Sequence, residues 1–117
     1  MTTELKGYVL KILSPSEVII NLGKEHGVER GMRFIIYEEG EMICDPNTKE
    51  PIEKLELVKG EVKVIHVQQK ISIAKSLVKE KRPVLDPLFP LRYKEEIVEV
   101  EKQLENVKVG DLVRRIE

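Results

Sequence analysis

The stretch INLGKEHGVERGMRFIIY, Ile20–Tyr37, decides the fold. An apolar run ends in Asn21-Leu22-Gly23, and a second begins at Met32, with Gly27 and Gly31 between them. Glycine-rich links of this kind either cradle a phosphate or turn the chain. A phosphate loop needs Gly-x-x-x-x-Gly-Lys-Ser/Thr, with a strand before it and a helix after it. Here Gly31 is followed by Met32-Arg33 and an apolar, β-branched run, and no Gly-x-Gly-x-x-Gly spacing occurs. The stretch therefore reads as strand, turn, strand. The glycines serve the turn, and anion binding by Lys24, His26 and Arg30 is the weaker alternative.

The rest of the chain agrees with a strand-rich reading. Its 117 residues hold one alanine, Ala74, against 14 Val and 12 Ile. Alanine favours helices, whereas β-branched side chains favour pleated surfaces. The length fits one domain over residues 1–117 with a core of its own. Glu (18) and Lys (14) dominate the charged residues while Asn and Gln total six, a profile reported for hyperthermophile proteins. The net charge of -1 offers no global attraction for phosphate backbones or anionic membranes. Cys44 is the single cysteine, and the N-terminus MTTELKGYVLKIL lacks a basic region followed by an apolar stretch of about 7–15 residues. These features predict a cytoplasmic protein without a secretory signal. No window approaches the roughly 18 apolar residues of a membrane-spanning helix.

Strands are predicted at Gly7–Leu13, Glu17–Leu22, Met32–Glu38, Met42–Cys44, Ile52–Val67, Ile71–Val78 and Val109–Ile116. Ser14-Pro15-Ser16 and Glu39-Gly40-Glu41 read as turns, as does the loop from Asp45 to Pro51. Gly60 interrupts an alternating run and marks a bulge or bend. The charged run Lys79–Arg82, followed by Pro83, Pro87 and Pro90, predicts an irregular excursion over 79–105. Within it Tyr93–Glu105 is ambiguous: Ile97, Val100 and Leu104 fit a helix, which the charges favour, and Ile97-Val98 fits a strand. Val28-x-x-Gly31-x-x-Phe34 is echoed by Val107-x-x-Gly110-x-x-Val113, each a turn glycine ahead of an apolar strand.

Short strands in series and a late-returning final strand predict a mainly β fold. A small closed or partly open antiparallel barrel of six or seven strands is favoured, because closure removes exposed edges; a sandwich is second. The sequence resembles the small β-barrel domain at the C-terminus of the flagellar assembly protein FlgT and of related bacterial and archaeal proteins. The residues that carry the resemblance are Gly7-x-Val9, Val18–Gly23, Gly27-Val28-x-x-Gly31-Met32-x-Phe34, Asp45-Pro46-x-Thr48-x-Glu50, Gly60 and Val109-Gly110-Asp111. The likeness spans 5–78 and 106–116 and rests on turns and glycines. It implies a binding or assembly module rather than an enzyme, and it brings no catalytic residue. The 79–105 excursion departs from the pattern, and the expected lack of a signal peptide and of partner domains speaks against a flagellar role.

Chemistry finds little purchase in the residues themselves. His26 and His66 are the only histidines, and no CxxC, HxH or HExxH spacing supports a metal. Cys44 stands beside Asp45, which invites a nucleophile reading, but the possible bases His26 and His66 carry no motif, and Cys44 is expected to be a small buried hydrophobe. No catalytic, metal or cofactor residue is assigned. A nucleic-acid-binding barrel is the alternative function, but aromatic side chains are few and the basic clusters are interleaved with acids. The most suggestive stretch is PVLDPLFPLRY, Pro83–Tyr93. Val84, Leu85, Leu88, Phe89, Leu91 and Tyr93 either plug one mouth of the barrel or form a surface for a protein partner or a second copy. Gly23, Gly27, Gly31, Gly60 and Gly110 are assigned to turns and bends. The expected function is a non-enzymatic protein-interaction or assembly module.

Overall fold

The computed structural model describes residues 4–117. Eight strands follow one another: β1 (Lys6–Ser14), β2 (Glu17–Ile20), β3 (Arg33–Cys44), β4 (Pro51–Val67), β5 (Ser72–Lys75), β6 (Leu77–Leu85), β7 (Tyr93–Glu101) and β8 (Leu112–Arg115). A single 3₁₀ turn, Lys24–His26, lies between β2 and β3. Six strands pair in a closed antiparallel ring, β1-β2-β5-β4-β3-β8. The last strand closes it by pairing with both β1 (Gly7 opposite Val113) and β3 (Ile36 opposite Val113). That double pairing makes the domain a barrel and excludes the sandwich.

The barrel is filled by the inward half of each strand's alternation. Val9 comes from β1, Val18 and Ile20 from β2, Phe34 and Ile36 from β3, Val62 and Val64 from β4, Ala74 from β5 and Val113 from β8; all are essentially inaccessible. Valine and isoleucine dominate because a six-stranded interior is narrow. Leu22 and Val28 cover the floor from the opening stretch. Full burial of each of these aliphatic side chains contributes about 1.5–3 kcal/mol.

The echoed Val-x-x-Gly-x-x-apolar pieces are one turn built twice. Gly31 and Gly110 have φ of 97° and 95°, the left-handed region that favours glycine. The next residue donates its N–H three positions back across each glycine: Met32 to the Glu29 carbonyl at 3.2 Å, and Asp111 to the Lys108 carbonyl at 3.1 Å. The strands they launch, β3 and β8, lie side by side, and Phe34 and Val113 both enter the core. The bend at Gly60 is a bulge: Gly60 pairs with Ile36 and Val58 with Tyr37, leaving Lys59 unpaired.

Several local expectations are corrected. Glu39-Gly40-Glu41 is not a turn. β3 runs unbroken to Cys44 and absorbs Gly40 in an irregular register between Glu39 and Met42. A lone glycine in a strand marks such an irregularity as readily as a turn. The run Ile71–Val78 is split at Ser76, whose N–H bonds to the Ser16 carbonyl at 2.7 Å; β5 stays in the barrel and β6 leaves it. The charged Lys79–Arg82 segment is regular strand through Pro83 to Leu85. β6 pairs only with β7, and a strand with a free side tolerates a residue that lacks an N–H. Tyr93–Glu101 is its partner strand and not a helix, with Val78 opposite Val100 and Leu85 opposite Tyr93. The β-branched residues of Ile97–Val100 outweigh the helical spacing once a partner strand is available.

Two ribbons therefore leave the barrel. Residues 38–44 of β3 pair only with the first half of β4, and β6 pairs only with β7. The radius of gyration is 18.0 Å and the longest dimension 59 Å. A compact domain of this length has a radius of about 13 Å.

Candidate functional site

The β6–β7 ribbon is rooted by charge. Arg33 opens β3 with its side chain only 3% exposed. Its Nη1 donates to the Leu77 carbonyl at 2.6 Å and to Glu61 Oε1 at 3.1 Å, and Nη2 donates to Glu99 Oε1 at 2.8 Å. One planar guanidinium thus ties β3 and β4 of the barrel to both strands of the ribbon. Lys63 holds the same Glu99 at 2.8 and 3.0 Å. Ser16 Oγ donates to Glu101, which also pairs with Lys75 at 3.3 Å. The Lys102 N–H bonds to the Ser76 carbonyl, and the Leu104 N–H to the Pro15 carbonyl at 2.7 Å. The carboxyls respond. Lys63, and then Arg33, hold Glu99 below the usual carboxylate value, and the Ser16 hydroxyl and Lys75 do the same for Glu101.

Away from the root, polarity gives way to unpaired apolar surface. Val84 is half-buried, whereas Leu85, Phe89 and Tyr93 are 54–72% exposed, Leu88 is 81% and Leu91 97%. None of these residues plugs the barrel. The tip is nevertheless ordered by its own bonds. The Asp86 N–H meets the Arg92 carbonyl at 2.9 Å, the Arg92 N–H meets the Phe89 carbonyl at 2.8 Å, and Asp86 Oδ1 accepts the Leu88 N–H at 2.9 Å. The Arg92 guanidinium lies 5.1 Å from the centre of the Phe89 ring.

The β3–β4 ribbon carries a second apolar set that sequence reasoning assigned to ordinary strands. Met42, Ile43, Ile52, Leu55, Leu57 and Val58 are all exposed. The signal that finds them is length: β3 has 12 residues and β4 has 17, against a usual strand of about 5–6. Cys44 sits near this tip and is exposed, contrary to expectation. It pairs with Pro51 at one end of β4, while His66 is near the other end, so about 50 Å of strand, measured along the chain, lies between the two positions. They cannot act as a thiol–imidazole pair. Among the described residues, no three His, Cys, Asp or Glu side chains cluster as a metal site.

In the opening stretch, the backbone does the joining. The Lys24 and Glu25 N–H groups bond to the carbonyls of Gln68 and Gln69, and the Gly31 N–H to that of Val64. His26 Nδ1 accepts the Gly23 N–H at 3.1 Å, which ties that ring to the loop's own backbone. Gly27, like Gly31 and Gly110, has a positive φ, whereas Gly23 is needed for space: a Cβ there would lie 2.5 Å from the Gln68 carbonyl oxygen.

No curated protein matches the chain. The family model of the flagellar assembly protein T C-terminal domain matches residues 16–83, from the β1–β2 turn into β6, more than half of the 117 residues. The match covers the glycine-rich stretch, the β3–β4 ribbon and β5, and ends before the β6–β7 tip. The chain belongs to the family of the flagellar assembly protein T C-terminal domain.

Proposed function

We propose that this chain is a non-enzymatic assembly module in which the barrel is the scaffold and the β6–β7 arm docks on protein, with a second copy of the chain as its occupant. The observation that carries the reading is the tip itself. Leu85, Leu88, Phe89, Leu91 and Tyr93 stand exposed on an ordered, hydrogen-bonded loop with no core beneath it. Exposed apolar clusters of this kind mark contact surfaces. The tip, Leu85–Tyr93, holds one acid, Asp86, and one base, Arg92, so two copies meet without net repulsion. Membership of a family named for flagellar assembly supports protein contacts in general.

Light scattering across a concentration series tests it. The full chain is expected to exceed its 13.5 kDa monomer mass as concentration rises, and a Leu88→Ser/Leu91→Ser variant to remain monomeric. Both side chains are exposed, so the variant keeps the barrel. A wild-type chain that is monomeric throughout, or a variant that assembles equally well, removes self-association through the arm.

A further inference from the structure

The β-bulge at Ile65 builds a binding site that neither ribbon shares. Val62 and Val64 point into the barrel, and strict alternation would send His66 after them. The register instead slips between Val64 and His66, so His66 pairs with the half-buried Ile73 and lies on the outer surface. Bulges re-aim side chains in this way and are frequent beside functional sites. There His66 joins Lys24 and Arg30 around a cleft of about 510 Å³ whose walls include Glu29, Val28 and Val67. Small-molecule sites have volumes of about 300–1,000 Å³.

The cleft is preformed. Its loop wall is bonded to the chain beyond β4 through the Lys24 N–H to the Gln68 carbonyl at 2.9 Å, and to β4 itself through the Gly31 N–H to the Val64 carbonyl at 2.9 Å. A ligand entering it has little loop left to order. Ile65 and Val67, both half-buried, give the cleft an apolar side beneath a polar rim. Neither Lys24 nor Arg30 forms an ion pair among the described residues. Two cations and one acid, Glu29, suit a single negative charge; a dianion would meet Glu29 as well. Arginine's fork matches a carboxylate, and a ring N–H of His66 supplies a further hydrogen bond.

We propose that this cleft binds a small monocarboxylate with an apolar body, its head group on Lys24, Arg30 and His66 and its hydrocarbon chain on Ile65 and Val67. Titration of the ¹⁵N-labelled full chain, followed by amide chemical shifts, tests it with hexanoate, 1-hexanol, acetate and inorganic phosphate. For a ligand of hexanoate's size a dissociation constant on the order of 1 mM is expected. Hexanoate should give saturable shifts at residues 27–30 and 65–67, with hexanol, acetate and phosphate each about tenfold weaker or more. In Lys24→Gln/Arg30→Gln, two exposed positions, the hexanoate affinity should fall at least about tenfold while the other amide shifts stay in place. Equal response to hexanol reduces the site to an apolar patch. Equal response to phosphate or acetate reduces it to a generic cation cluster. Absent saturation with hexanoate, or an unaffected double variant, overturns the proposal outright.

Discussion

Replacing Arg33 with methionine should free the β6–β7 arm while leaving the barrel closed. Methionine is close to arginine in length and keeps the site filled, but it cannot donate. The contact that only Arg33 makes to the arm's backbone is the 2.6 Å bond to the Leu77 carbonyl. A hydrogen bond from a charged donor contributes about 1.5–3 kcal/mol, so we take about 2 kcal/mol for its loss. Glu61 and Glu99 are each about a third exposed and rehydrate when the guanidinium is gone, so they add little. Lys63 still holds Glu99 at 2.8 Å, so the arm loosens rather than detaches. Two kcal/mol corresponds to about a 30-fold rise in the population of the opened arm. A lone two-stranded ribbon is marginal in water, so opening at the root should spread along it. Native-state hydrogen exchange reads this directly. Amides of residues 78–82 and 94–100 should lose about 30-fold in protection, and those of Val64, Ala74 and Val113 much less. Arg33→Lys should be intermediate, since a compact ammonium cannot span all three acceptors. Equal loss across arm and barrel would show that Arg33 supports the barrel as a whole. Unchanged arm protection would refute the clamp.

Three further outcomes follow from the same geometry. Lys59, turned out of the ladder by its bulge, meets Asp111 at 2.8 Å with both side chains at or below 10% exposure. Lys59→Met leaves that carboxylate without a countercharge, held only by the Lys108 N–H at 2.7 Å, and should cost about 3 kcal/mol, read as a lower urea midpoint at unchanged slope. Gly31→Ala and Gly110→Ala should each cost about 1–2 kcal/mol, because the space is open and only the positive φ resists; Gly31→Asn should cost less than Gly31→Ala, and equal costs would contradict a conformational cause. Acid should release the arm before it unfolds the barrel. Glu99 and Glu101 have folded values below the carboxylate reference of 4.5, lowered first by Lys63 and by Ser16 respectively. A depressed value stabilises fully above 4.5 and progressively less as the pH falls through the folded value. Arm resonances should therefore change at a higher pH than those of Val64 or Val113; coincident transitions would rule out a separate acid-labile root.

The barrel was legible because its information is local and periodic. Val18-x-Ile20, Phe34-x-Ile36 and Val62-x-Val64 each place alternate residues on one face, and the repeated turn glycines show where strands begin. The two ribbons were less legible, for a different reason in each case. In β3–β4, Gly40 carries the same turn signal whether the chain reverses or a strand only slips its register, and the partner strand decides. In β6–β7, the strand state of Lys79–Leu85 depends on Tyr93–Glu101 lying beside it, and that pairing is a tertiary fact. His66 shows how sharp the limit is. One unpaired residue, Ile65, moves it from the core face to a surface cleft, and no feature of VKVIHV announces the slip.

The manner of attachment bears on what the arm is for. A segment that existed to complete the core would be fixed by apolar burial, as Leu104 and Val107 are where they pack against the barrel. The arm is fixed instead by Arg33, Lys63, Ser16 and Lys75 gripping two glutamates at its root, while its large apolar side chains sit at the far end. Polar clamps specify a direction without drawing the tip onto the barrel. Leu88, Phe89 and Leu91 would be cheaper as polar residues if solvent were their only neighbour, because exposed apolar clusters invite association. An arm aimed by charge and tipped with hydrocarbon is suited to meeting a surface outside its own domain, and the Leu88→Ser/Leu91→Ser variant separates that role from folding.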